Sequence, residues 1–172
     1  MQRRIINLDQ LDYQRWTKGF PPDQQPPDGF GADVAQVGGL IGARKLGYNV
    51  TAIDPGKAAY PLHNHRANEE MFLILSGEGE LRVGDERFPV RAGDVIACPP
   101  AGPESAHQLR NTSGAEPLRV FAVSTFESPD IVEYPDTGKI SFGGRFTGAD
   151  GKPQLVRGIT RKGEGPGYWE GE

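Results

Sequence analysis

Only three histidines occur in the 172 residues, and all three lie between positions 63 and 107. His63 and His65 stand two apart, so in an extended segment both imidazoles project to the same side. Glu70 follows five residues after His65, and a loop through Arg66 to Glu69 can return its carboxylate to the pair. His107 comes from a separate segment, beyond Gly93 to Gly102. Three neutral imidazoles and one carboxylate meeting at a point form a site for one divalent transition metal ion: Fe, Mn, Ni, Co or Zn. That set brings one negative charge to a doubly positive ion and leaves coordination positions open, whereas a structural zinc site is closed and rich in thiolates. A lone His-x-His pair would describe two polar residues on a strand face. Agreement in position among four residues carries the metal reading, with Glu69 as an alternative donor to Glu70.

These donors need strands to hold them. From Leu46 the chain alternates, with Leu46, Tyr48, Val50 and Ala52 against Gly47, Asn49, Thr51 and Ile53. Further strands read over Glu70 to Ser76, Asp94 to Cys98, His107 to Asn111 and Leu118 to Ser124. A hairpin joins Gly79 to Val83 and Arg87 to Val90 around Gly84-Asp85. Strands that recur about every ten residues, with turn residues between them, predict an antiparallel sandwich or barrel. Gly77 and Gly79 bracket Glu78 where a turn demands positive φ, and Gly93-Asp94 is a similar turn.

In the strand 70–76, Glu70, Phe72 and Ile74 share one face, so Phe72 and Ile74 are expected to line the pocket floor. Met71, Leu73 and Leu75 share the other face. Both faces are apolar and both need cover. The barrel interior covers one; the N-terminal arm or a second subunit covers the other, and a homodimer is expected. Tyr48, Tyr60, Gln108, Arg44 and Arg119 are polar candidates for ligand contact that spacing does not rank, and Tyr48 is counted with the pocket. Asn111, four beyond His107, either orients a ligand from behind or forms the turn Asn111 to Gly114. Cys98 shares strand parity with Ile96 and reads as a small core residue.

The flanks differ from this core. The chain holds 24 glycines and 15 prolines, about twice ordinary usage, which excludes a helical bundle. A short helix is expected from Leu8 to Trp16, capped by Asp9 or Asp12. Pro21, Pro22, Pro26 and Pro27 force Phe20 to Phe30 into an extended or looped path. After Phe126 come more prolines and glycines, and the end, Gly163 to Glu172, is expected to be mobile unless Tyr168 and Trp169 dock. The expected organisation is one domain over 1–172: an arm over 1–42, a barrel over 43–127 and an extension over 128–172.

Net charge is −4, from 19 basic and 23 acidic residues. No basic surplus is available for phosphate contacts, so no nucleic-acid partner is expected. No apolar run reaches the length of a membrane span, and no signal sequence opens the chain, so a cytoplasmic protein is expected. One cysteine excludes an internal disulfide.

Two motifs point to a family. Gly56-(x6)-His63-Asn64-His65-(x4)-Glu70-(x6)-Gly77 resembles the first motif of the cupin superfamily, and Gly93-(x6)-Pro100-Ala101-Gly102-(x4)-His107-(x3)-Asn111 resembles the second. The Gly-to-His gap of the first motif is one residue longer than usual. The Gly-to-Pro gap of the second fits Pro99 better than Pro100, and the Gly102-to-His107 gap is also long; all these shifts fall in loops. The resemblance covers roughly residues 45–125. It implies an all-β fold, a small double-stranded β-helix barrel (jelly roll), with His63, His65, Glu70 and His107 around one central metal, and often a dimer. The same barrel hosts oxygenases, isomerases and mere binding proteins. A metal-dependent enzyme acting on a small polar molecule is therefore expected, with a non-catalytic sugar or carboxylate binder as the alternative. No Lys, Glu or Tyr stands out as an isomerase base, which favours oxygenase-type chemistry.

Overall fold

A computed structural model describes residues 4–16 and 25–172. Thirteen strands run in chain order. They are β1 Gln14–Arg15, β2 Ala32–Gln36, β3 Leu46–Ile53, β4 Asn64–His65, β5 Glu70–Ser76, β6 Glu78–Val83, β7 Glu86–Arg91, β8 Val95–Cys98, β9 His107–Asn111, β10 Leu118–Thr125, β11 Asp130–Tyr134, β12 Lys139–Thr147 and β13 Pro153–Arg161. Among the described residues one short α-helix, α1, spans Gly38–Ile41. Among the described residues no helix is long and apolar enough to cross a membrane.

The strands form a jelly roll of two facing layers. One layer is a six-stranded antiparallel sheet in the order β1-β2-β3-β10-β5-β8. The other is made of a three-stranded piece, β7-β6-β9, and a four-stranded piece, β13-β12-β11-β4. A two-residue bridge, His63 with His107, links these two pieces. Between the layers lies a core of Ile53, Ile74, Ile96, Cys98, Leu118 and Val120 from the large sheet and Leu81 and Val90 from the opposite one. This is the inward half of each alternating strand, as the period of two requires.

A second apolar cluster lies outside the large sheet. Leu11, Ala35, Val37 and Val50 are buried there, with Ile6, Leu8, Tyr13, Tyr48, Leu75 and Phe121 packed against them. The N-terminal segment thus covers the outer face of β5 at Leu75. The two-sided strand does not by itself call for a second subunit. The segment does so without the expected helix over 8–16. Leu8–Gln10 make one 3-10 turn, capped by the side chain of Asn7 rather than Asp9 or Asp12. The chain then runs extended, because Gln14 and Arg15 pair with β2 and the Trp16 amide donates to Ala32. Open sheet edge outcompeted the weak helix propensity of so short a segment. Pro21 and Pro22 of the proline-rich stretch lie outside the described residues, whereas Pro27 to Phe30 form a turn.

The larger departure is at the other end. Within the Gly/Pro-rich extension, residues 130–161 form three strands, which the sequence pattern does not assign. Their glycines seat aromatic rings. A Cβ on Gly144 would stand 2.6 Å from Phe146, and one on Gly158 2.4 Å from Phe142. Composition alone reads such glycines as turns. Beyond them, Tyr168 and Trp169 are 87% and 78% exposed and pack only on each other among the described ring pairs. Gly77 does adopt φ +87, but Gly79 is required for another reason: a Cβ there would meet the Arg110 carbonyl at 2.4 Å.

Two outcomes follow from this packing. Ile74, 1% exposed, is core, so Ile74→Ala should lower unfolding free energy by about 2–5 kcal/mol in a urea titration. Arg15 grips Asp54 through both terminal nitrogens, at 2.9 and 2.5 Å. This hydrogen-bonded pairing, against the opposing effect of burial, holds the Asp54 carboxyl below its ordinary value of 3.8. A depressed carboxyl stabilises the fold above that value, and the contribution is lost as pH falls through the folded value. Arg15 is 46% exposed, so Arg15→Ala should cost less than about 1 kcal/mol at pH 7. The urea midpoints of variant and parent should converge in acid.

Candidate metal centre

His63, His65, Glu70 and His107 arrive at one end of the barrel from three directions. Glu70 opens β5 and lies opposite Ser124 and Cys98, with its side chain turned inward. His63 lies two residues after Pro61, and His65 sits in β4 two residues on. His107 opens β9, after a loop of Pro99 to Pro103 whose Ala101 amide donates to the His65 carbonyl. The His63 and His107 backbones exchange both hydrogen bonds, at 3.2 and 2.8 Å. The seam of the second layer and the cluster of donors are therefore the same place.

One oxygen is the common point. Glu70 Oε2 lies 3.1 Å from His107 Nε2, 3.5 Å from His65 Nε2 and 3.8 Å from His63 Nε2. The donor atoms of His63, Glu70 and His107 all lie within 4.8 Å of one another; His65 joins this group through Glu70. Glu69, by contrast, just before the strand, is exposed. His63 Nδ1 lies 2.8 Å from the Pro61 carbonyl, which can only accept, so Nδ1 carries the proton and Nε2 offers its lone pair inward. The other His65 nitrogen, Nδ1, lies 2.5 Å from the Asp130 carboxylate.

Electrostatics prepare these groups as donors. Burial, reinforced by the neighbouring His107, pulls the His63 pKa down to about 4 and keeps the ring neutral. For Glu70 burial pushes upward, but the His107 hydrogen bond and the surrounding imidazoles outweigh it and hold the carboxyl below its ordinary range. For His65 burial pulls downward, yet Asp130 and Glu70 together raise it. Imidazole nitrogens and an ionised carboxylate, gathered with no Lys or Arg side chain paired to them among the described residues, are the donor chemistry a divalent transition metal takes.

Beside His63 and His107 opens a cavity of about 40 Å³. Ile53, Phe72, Leu109, Val120 and Ala122 give it apolar walls, and Thr51, Tyr60 and Gln108 contribute the polar groups. Phe72 lines it as expected, its ring 5.6 Å from that of His107. Three expected pocket residues do not. Ile74 lies two residues deeper, in the core. Tyr48 has the strand parity of Val50, so it packs on Phe121 on the outer side of the sheet. Asn111 is fully buried in a turn, donating to the carbonyls of Ile53 and Glu116 and accepting from the Ser113 amide. Of the unranked polar candidates, Tyr60 and Gln108 line the cavity, while Arg119 bonds Tyr13 instead.

The extension supplies residues that no spacing announced. Tyr134 stacks on His63 with ring centroids 6.2 Å apart, and Lys139 lies over Tyr134. Trp16 meets Tyr60 edge-on at 5.6 Å on another side of the site. Cys98 is buried, and that burial with nearby Glu70 pushes its thiol up to about 12.

Residues 49–124 match the Cupin domain family. An uncharacterised protein of Methanocaldococcus jannaschii is 35% identical over 86 residues, covering 48% of this chain and 66% of that protein. The quercetin 2,3-dioxygenase of Bacillus subtilis is 33% identical over 91 residues, covering 49% of this chain. The matched stretch spans only 26% of that enzyme. Among solved structures, the sugar phosphate isomerase of the cupin superfamily from Silicibacter pomeroyi superposes with a TM-score of 0.71. It covers 92% of each chain at 22% identity, a likeness of fold.

Proposed function

We propose that this chain, whose residues 49–124 match the Cupin domain family, is a metal-dependent enzyme performing oxygenase-type chemistry on a small oxygen-bearing organic molecule. The observation that carries the reading is the apolar cavity against His63 and His107. An isomerase needs a base beside the reacting carbon. The cavity walls hold no Lys, Asp or Glu, their tyrosine, Tyr60, has its pKa raised by burial, and Glu70 faces the imidazoles.

His63, His65, Glu70 and His107 would hold the metal. When bound, it supplies Lewis-acid polarisation of adjacent substrate oxygens and, as Fe(II), a place for dioxygen. The chain's own residues do the rest. Ile53, Phe72, Val120 and Ala122 exclude water from the side of the cluster where a small apolar group fits. Tyr60, with its phenol kept protonated by burial, is a hydrogen-bond donor in that wall. Tyr134 and Lys139 flank His63 and offer a stacking surface and a positive charge to a polar substituent. That second feature favours one other reading, an isomerase of sugar-type anions like the one whose fold this chain shares.

Untagged protein reloaded separately with Fe(II), Mn(II), Ni(II), Co(II) and Zn(II) tests the reading. It should consume dioxygen with small diketones or 2-oxo acids and return oxidised product. Interconversion of sugar phosphates without oxygen uptake would establish the isomerase, and ligands recovered unchanged would establish a binder. The double variant His63→Ala/His107→Ala should stay folded and lose its metal. Full metal content in that variant overturns the four-donor site.

A further inference from the structure

His65 differs from its partners in what stands behind it. His63 is backed by a neutral carbonyl of its own loop, that of Pro61. His65 is backed by a carboxylate from a strand 65 residues away, Asp130 at the start of β11. That carboxylate is itself held. Its other oxygen accepts the amides of Ala67 and Ile131, each at 2.9 Å, and its side chain is only 12% exposed. Val132 pairs in register with His65, so the backbone of β11 fixes the distance across which Asp130 reaches. His65 is also the donor that joins the tight group only through Glu70. Its membership therefore depends on the orientation of its ring, and Asp130 is the side chain that hydrogen-bonds the ring's outer nitrogen.

We propose that Asp130 is the positioning residue of the metal centre: it holds His65 as the tautomer protonated on Nδ1, with Nε2 turned to Glu70, and so decides whether the site binds through three donors or four. The proposal rests on the metal reading above and assigns the C-terminal sheet a part in it. A carboxylate behind a metal-bound imidazole fixes the ring and raises its basicity, and its loss commonly weakens binding about 10–100-fold.

Asp130→Asn keeps the size of the side chain and an acceptor for the Ala67 amide while removing the charge. Calorimetric titration with Zn(II) alone should show binding weakened 10-fold or more, by the same rule. The Co(II)-loaded variant should show altered visible bands, because one nitrogen donor is lost or displaced. A role in folding alone would move neither readout once apo-protein melting shows the variant folded. Should the variant fail to fold, the wild type decides. With three histidines in the chain, ¹⁵N spectra of the Zn(II)-loaded protein resolve each ring, and His65 should be protonated at Nδ1 and metal-bound at Nε2. Unchanged affinity and bands in Asp130→Asn, or a His65 bound through Nδ1, overturns the proposal and leaves the metal site standing. A wild-type chain that takes up no Zn(II), Co(II) or Fe(II) overturns both.

Discussion

A carboxylate at the inner end of a barrel strand is costly unless its lone pairs are met. Removing such a charge from water costs several kcal/mol even after the protein relaxes. Glu70 is in that position, and the surrounding architecture answers it. Three imidazole nitrogens converge on one of its oxygens, and each arrives on backbone that something else must hold. The His63–His107 bridge holds two of them and at the same time joins the halves of the second layer. Parting this seam would separate imidazoles that meet at Glu70. The imidazoles that cluster here are thus also the groups that meet the buried carboxylate of Glu70.

The two layers divide the work. The large sheet supplies the carboxylate and the apolar walls, with Phe72, Val120 and Ala122 beside the cluster and Ile74 and Leu118 beneath it in the core. The second layer supplies the imidazoles and the groups behind them. Asn64, between the two clustered histidines, points the opposite way, as strand alternation demands. It bonds the Ala101 carbonyl and Glu133, which in turn pairs with Arg66. The His63–His65 segment is therefore gripped on its outer side as well as its inner one.

Much of this was legible because the signals were local. Residue type and spacing were enough to bring His63, His65, Glu70 and His107 together, and period two was enough for the barrel strands. The six-residue gap from Glu70 to Gly77 favoured Glu70 over Glu69, whereas strand parity, had it been carried across the β3–β10 pairing, would have put Tyr48 outside. Asn111 was ambiguous because a turn role and a site role ask for the same amide. Asp130, Tyr134 and the sheet that bears them were not legible. Their link to the site is a strand pairing between β11 and β4, and β4 is two residues long with no pattern of its own. The glycines of β12 and β13, which seat phenylalanine rings, imitate the composition of a loop. Long-range pairing decided what local propensity left open.

The pairing of β4 with β11 also sets an order of events in time. Chains emerge from the ribosome amino end first, and units fold as their partners become available. His63, His65 and Glu70 emerge well before His107, and His107 before Asp130. The barrel sheet can close once β10 is out, yet one side of the His65 strand stays bare until β11 follows. Until β11 is in place, His65 lacks the strand that carries Asp130, so the cluster's supports are incomplete.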